Sequence, residues 1–172
     1  EIYRCDWSSD VCSSDLSIVV FAVGNPSRGD DAIGPVLCER LAAWLAEQRL
    51  TERVELVEDF QLNIEHALDL VGRERAIFID AGENTPAPFI LTRIQPAAIP
   101  SHSSHALPPS AVLQVYRQTE GAEPPPSFVL CVRGECFELG EGLSPPAAER
   151  VSAALARLTG LLQAPKSADW PV

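Results

Sequence analysis

Hydrophobic residues fall along this chain in two alternating rhythms. "SIVVFAV" (17–23) is an unbroken apolar, β-branched run, the pattern of a strand buried on both faces. Directly after it, Ile33, Val36, Leu37, Leu41, Trp44 and Leu45 recur at steps of three and four, with Glu39, Arg40 and Glu47 between them, which predicts an amphipathic helix. "VELVE" (54–58) alternates as a short strand, and "IEHALDLVG" (64–72) reads as a helix ended by Gly72. "RAIFIDAG" (75–82) predicts a second buried strand. "FILTRIQ" (89–95) follows a Pro-containing turn and suits an antiparallel edge position. "PSAVLQVYRQT" (109–119) opens a helix on proline, "SFVLCVRG" (127–134) is another apolar strand, and "PPAAERVSAALARLTGLLQ" (145–163) is a last amphipathic helix with Ser144 as N-cap.

Strands alternating with helices predict an α/β fold with a mostly parallel, twisted five-stranded sheet sandwiched between helices. Residues 17–163 make one domain, and the tail at 164–172 is expected to fray. Residues 1–16, "EIYRCDWSSDVCSSDL", show neither periodicity nor the basic and apolar regions of a signal peptide. They resemble translated sequencing-adapter read-through and are set aside as a non-native extension.

The 172 residues are 46% apolar and 22% charged, with a formal charge of −11. That balance suits a soluble cytoplasmic protein and disfavours nucleic acid and anionic membranes, which need Lys and Arg contacts. No apolar run approaches the ~20 residues of a membrane span. The cysteines at 5, 12, 38, 131 and 136 form no C-x-x-C pair and read as free or buried thiols in a reducing compartment.

Ligands of parallel sheets gather outside the carboxyl ends of the strands. Asn25, Asp30 and Asp31 follow the first strand, Glu58 and Asp59 the second, Asp80 the third, and Arg133 and Glu135 the last, so carboxylates from separate strands meet at one rim. The turn "GNPSRGDDAIG" (24–34) carries glycines at 24, 29 and 34 but neither G-x-G-x-x-G nor Gly-Lys-Ser/Thr, and its two aspartates repel a phosphate. One of these aspartates is accounted for by helix capping, worth about 1 kcal/mol. A second, facing Asp80, is repelled unless a cation is shared. Two carboxylates and an imidazole suit a divalent first-row transition metal. The chain offers His66, in a helix with an ordinary surface or half-buried role, and His102 and His105, in a long Pro- and Ser-rich loop. No G-x-S-x-G elbow appears, and nothing places a base beside Cys38 or Cys131, so serine and cysteine nucleophiles are disfavoured.

"IVVFAVGNPSRGDDAIGPVLCERL", "AIFIDAG" and "SSHALPPSAVL", in that order, resemble the three signatures of the hydrogenase maturation proteases. These endopeptidases trim the C-terminus of the nickel–iron hydrogenase large subunit. The resemblance spans roughly residues 17–160. It implies that Asp31, Asp80 and His105 are the metal-binding positions, with His105 preferred to His102 by its spacing to Leu113. It implies a precursor large subunit as partner, nickel brought by that substrate, and a monomeric enzyme of aspartic or nickel-dependent type in which Asp31 and Asp80 are catalytic. Where the family commonly has Gly-Gly-Thr, this chain reads "DFQLNIEHALDL", which resembles the branch serving NAD-reducing bidirectional hydrogenases and leaves Gln61 and Asn63 as recognition residues or, for Asn63, a helix cap. Two other classes stand beside this reading: a non-catalytic nickel-binding assembly chaperone, and a small-molecule α/β hydrolase with a deep enclosed pocket in place of an open groove.

Overall fold

The computed structural model describes residues 17–98, 106–166 and 168–172. Strands β1 (Ile18–Val23), β2 (Val54–Asp59), β3 (Arg75–Gly82), β4 (Phe89–Ile94) and β5 (Ser127–Arg133) form one sheet in the order β2-β1-β3-β5-β4. All neighbours are parallel except β4, which runs antiparallel to β5 on the edge. Helices α1 (Ile33–Gln48), α2 (Pro109–Glu120) and α3 (Pro145–Gln163) and a 3₁₀ helix at Ile64–Leu70 make the connections. The α/β sandwich expected from the alternating periodicity is the one observed.

The period of two along each strand divides the core. Val20, Ile77, Ile79, Leu130 and Val132 face α1 and α3, where Ile33, Leu37, Leu41 and Leu45 meet Val151, Ala154, Leu158 and Leu161. Val19, Phe21, Ala76 and Phe78 face the other way, against Leu62, Ala67 and Leu70 of the 3₁₀ segment and Val112 and Leu113 of α2. Phe21 and Phe78 stack across adjacent strands with ring centroids 4.7 Å apart.

Two elements differ from their sequence pattern. Residues 64–72, read as an ordinary helix, form a 3₁₀ helix that stops at Leu70. Asn63 caps it: its Oδ1 accepts from Glu65 N at 2.9 Å, while Asn63 N donates to His66 Nδ1 at 3.0 Å. The tail, expected to fray, folds back. Trp170 is 7% exposed, with its ring 4.8 Å from that of Phe128 and the Arg75 guanidinium 4.7 Å above it. The Arg157 guanidinium donates to the Asp169 carbonyl nearby. The Phe128 and Trp170 rings supply the apolar area that the tail's composition hides.

Candidate active site

The site is built at the carboxyl edge, and the turn after β1 comes first. Gly24 has φ +150°, and a Cβ there would lie 2.0 Å from the Asp31 carbonyl oxygen, so only glycine permits this reversal. The turn is tied internally: Arg28 N donates to Asn25 O, Asp31 N to Arg28 O, and Ser27 N to Asn25 Oδ1. A short 3₁₀ helix at Gly29–Ala32 then runs into α1, with Asp30 and Asp31 in its first turn.

The two aspartates point to different tasks. Asp30 is fully buried. Its Oδ2 accepts from Glu135 N at 2.8 Å, Cys136 N at 3.1 Å and Ser144 Oγ at 2.9 Å, and its Oδ1 from Ser144 N at 2.8 Å. Burial works to raise its pKa, but these donors outweigh it and hold the carboxyl below its ordinary value. Asp30 therefore belongs to the scaffold, where it fixes the loop after β5 and the entry to α3. It caps neither the 3₁₀ helix in which it lies nor α1, whose N-cap positions are Arg28 and Ala32 and carry no side-chain cap.

Asp31 turns to the rim. Its Oδ2 accepts from Asn25 N at 2.9 Å. Asp80, near the end of β3, is oriented in the same way, with Oδ1 accepting from Ala81 N at 2.8 Å. In each carboxylate one oxygen is fixed by a backbone N–H. Asp80 is pushed up to about 6, mainly by burial and further by the negative charge of Asp31, against the Ala81 hydrogen bond. Two carboxylates within electrostatic reach of one another, one held close to neutral pKa, suit a cation or an exchanged proton. His102 and His105 lie outside the described residues. Among the described residues no group of three or more His, Cys, Asp or Glu is arranged to hold a metal.

An open groove of about 520 Å³ runs from Arg28 and Asp31, past Ala81 and Glu83, to Glu135 and the Cys136–Glu138 segment. The turn after β1 and the loop after β5 are laced together across it: Arg28 Nε donates to Phe137 O at 3.1 Å, Gly140 N to Ser27 O and Gly29 N to Glu141 O. Arg150 supports the far wall, donating to Arg133 O and, at 2.7 Å, to Glu135 Oε1, which lowers the Glu135 pKa. Sequence reasoning placed Glu135 at the rim but missed Arg28 and the 136–138 wall. Their only sequence signal is position, just after a strand.

His66, expected to sit at the surface or half-buried, packs inside instead. It is buried, edge-on to Phe21 at 5.6 Å, with Nε2 3.5 Å from Asp59 Oδ2. Cys38 and Cys131 are poor nucleophiles: burial and Glu58 push Cys38 up to about 11, and burial raises Cys131, whose Sγ lies 2.9 Å from Thr85 Oγ1.

No protein-family model matches the chain, and no curated protein sequence does. Solved structures do. The hydrogenase maturating endopeptidase HybD from E. coli is 26% identical, with a TM-score of 0.67 over 88% of this chain and 94% of that one. The nickel–iron hydrogenase maturation protease HycI from Thermococcus kodakarensis KOD1 is 20% identical, with a TM-score of 0.65 over 86% and 93%. A hydrogenase 2 maturation peptidase from Thaumarchaeota archaeon SCGC_AB-539-E09 is 18% identical, with a TM-score of 0.60 over 85% and 97%. The family resemblance carried by the three motifs thus extends to the fold of nearly the whole chain.

Proposed function

We propose that this chain is an endopeptidase that removes a short C-terminal peptide from the nickel-loaded precursor of a nickel–iron hydrogenase large subunit. The observation that carries this reading is that Asp31, which lines an open groove, and Asp80 of the neighbouring strand β3 lie within electrostatic reach of one another, in a fold shared with hydrogenase maturation endopeptidases. An open groove suits an extended segment of a protein substrate, whereas a small-molecule hydrolase needs an enclosed pocket.

The nickel is part of the substrate. Asp31, Asp80 and His105 serve as its temporary ligands, so only a loaded precursor is held with its scissile bond in the groove. The backbone N–H on one oxygen of each carboxylate orients the other toward the ligand, as metal-ligating carboxylates require. In the alternative with no metal role in the chemical step, Asp31 or Asp80, the latter pushed up to about 6, takes the proton of the attacking water. The nickel adds polarisation of the scissile carbonyl if that oxygen reaches it. The cytoplasm, where such precursors are assembled, is the compartment this reading requires.

The test is incubation of the purified protein with nickel-loaded and nickel-free precursor, followed by gel analysis. The loaded precursor is expected to shorten and the nickel-free one to stay intact. Asp31→Asn should lower the rate by a factor of about 10² or more, the scale of a lost catalytic group, with the fold retained. His105→Ala should weaken processing more than His102→Ala. Binding without shortening by the parental protein would favour the assembly-chaperone reading, and parental rates in Asp31→Asn would remove that residue from the site.

A further inference from the structure

Large apolar side chains standing in solvent are unevenly distributed over this molecule. Phe60, Ile64, Leu68 and Val71 are 67%, 62%, 67% and 47% exposed, and all fall in the short segment that leaves β2 and forms the 3₁₀ helix. One exposed leucine is unremarkable, but a local group of them marks a contact surface. The same segment already buries Leu62, His66, Ala67 and Leu70 against the sheet, so its outward residues are not needed for its own anchorage.

This surface adjoins the turn that carries Asp31. A small cavity of about 190 Å³ lies between Gly24, Pro26, Glu58, Asp59 and Phe60. Gly24 is the residue whose Cα packs against the Asp31 main chain. Directly after the 136–138 wall in sequence, Leu139 is 78% exposed. The segment also carries charge of one sign: Glu58, Asp59, Glu65 and Asp69 surround the apolar side chains, while Arg73 is paired with Glu55.

Size adds a constraint. A stable protein complex buries about 800 Å² on each partner. A groove of about 520 Å³ holds only a few residues of peptide, so most of the contact with a folded substrate must lie outside it.

We propose that Phe60, Ile64, Leu68 and Val71 form a docking surface for the folded body of the substrate protein, which meets it with an apolar face ringed by Lys and Arg. This rests on the endopeptidase reading and adds where the partner sits and what chemistry its face has. The apolar contacts set affinity, and the acidic surround steers approach.

The experiment compares the parental protein with a Phe60→Ser, Ile64→Ser, Leu68→Ser variant, using nickel-loaded full-length precursor and circular dichroism to verify folding. KM is expected to rise at least about tenfold with kcat within about twofold, because the chemistry at Asp31 and Asp80 is untouched. Should the triple variant fail to fold, Phe60→Ser alone should still raise KM about threefold. Added salt should raise the parental KM by screening the acidic surround. An unchanged KM in the variants overturns the proposal. So does a parental dimer that becomes monomeric in the variant without a change in KM, since the surface would then belong to a second copy. If the parental protein leaves every precursor intact, the endopeptidase reading itself falls first, a result distinct from the other two.

Discussion

Asp30 and Asp31 are adjacent and chemically identical, yet one is sealed beneath four donors and the other opens on the groove. Environment alone separates them. Asp30, held below its ordinary pKa, contributes stability that is present at neutral pH and lost as acid protonates it. Asp80 has the opposite sign. Its folded pKa of about 6 exceeds the ordinary 3.8, so its contribution is full below about pH 4 and is lost as pH rises toward 6. Asp80→Asn removes that penalty. It should raise stability at about pH 8 by on the order of 1–3 kcal/mol, with little gain at about pH 4, while processing falls. Urea unfolding at the two pH values checks this, and an equal gain at both would show that Asp80 is not held protonated by its surroundings.

Among the elements, the strand-to-helix passage after β1 is the most constrained. Gly34 lies in the first turn of α1, where a Cβ would come 2.2 Å from the Val23 carbonyl oxygen. Elsewhere in a helix Gly→Ala gains about 1 kcal/mol. Here the contact is with backbone, and Gly34→Ala should instead cost about 1–3 kcal/mol, lowering Tm by several degrees and reducing processing as the Asp31 turn shifts. A higher Tm in a thermal melt would contradict the close approach. The strands and main helices were legible in the sequence because burial on one or both faces leaves a plain period, and the edge placement of β4 followed from its turn. The 3₁₀ form of residues 64–70 was not legible, because a segment of two turns gives the same apolar spacing for either helix type. That Asp31 and Asp80 come near one another was legible from the motif and the strand end. The scaffold role of Asp30 was not, since its partners Glu135, Cys136 and Ser144 lie more than a hundred residues away.

Across the whole molecule, stability and chemistry occupy opposite ends of the sheet. Trp170 packs on Arg75 and Phe128, at the starts of β3 and β5, while Asp80 stands near the end of β3 and Asp31 after β1. Trp170→Ala should therefore cost about 2–4 kcal/mol with kcat at a permissive temperature nearly unchanged. Chemical denaturation and the precursor assay check the two halves of that expectation, and a large loss of kcat in folded protein would mean that the two ends communicate. Among the described residues no helix is long and apolar enough to cross a membrane.

The hydrogen bonds of Asp30 join positions 105, 106 and 114 residues apart. Such distant closures come late in folding, after the local pairings have formed. A chain still emerging from the ribosome can complete β1 and β3, and with them both rim carboxylates, before the segment that walls the groove has been synthesised. The groove wall, and the Asp30 contacts that hold it, therefore take shape only once residues 135–144 are in place.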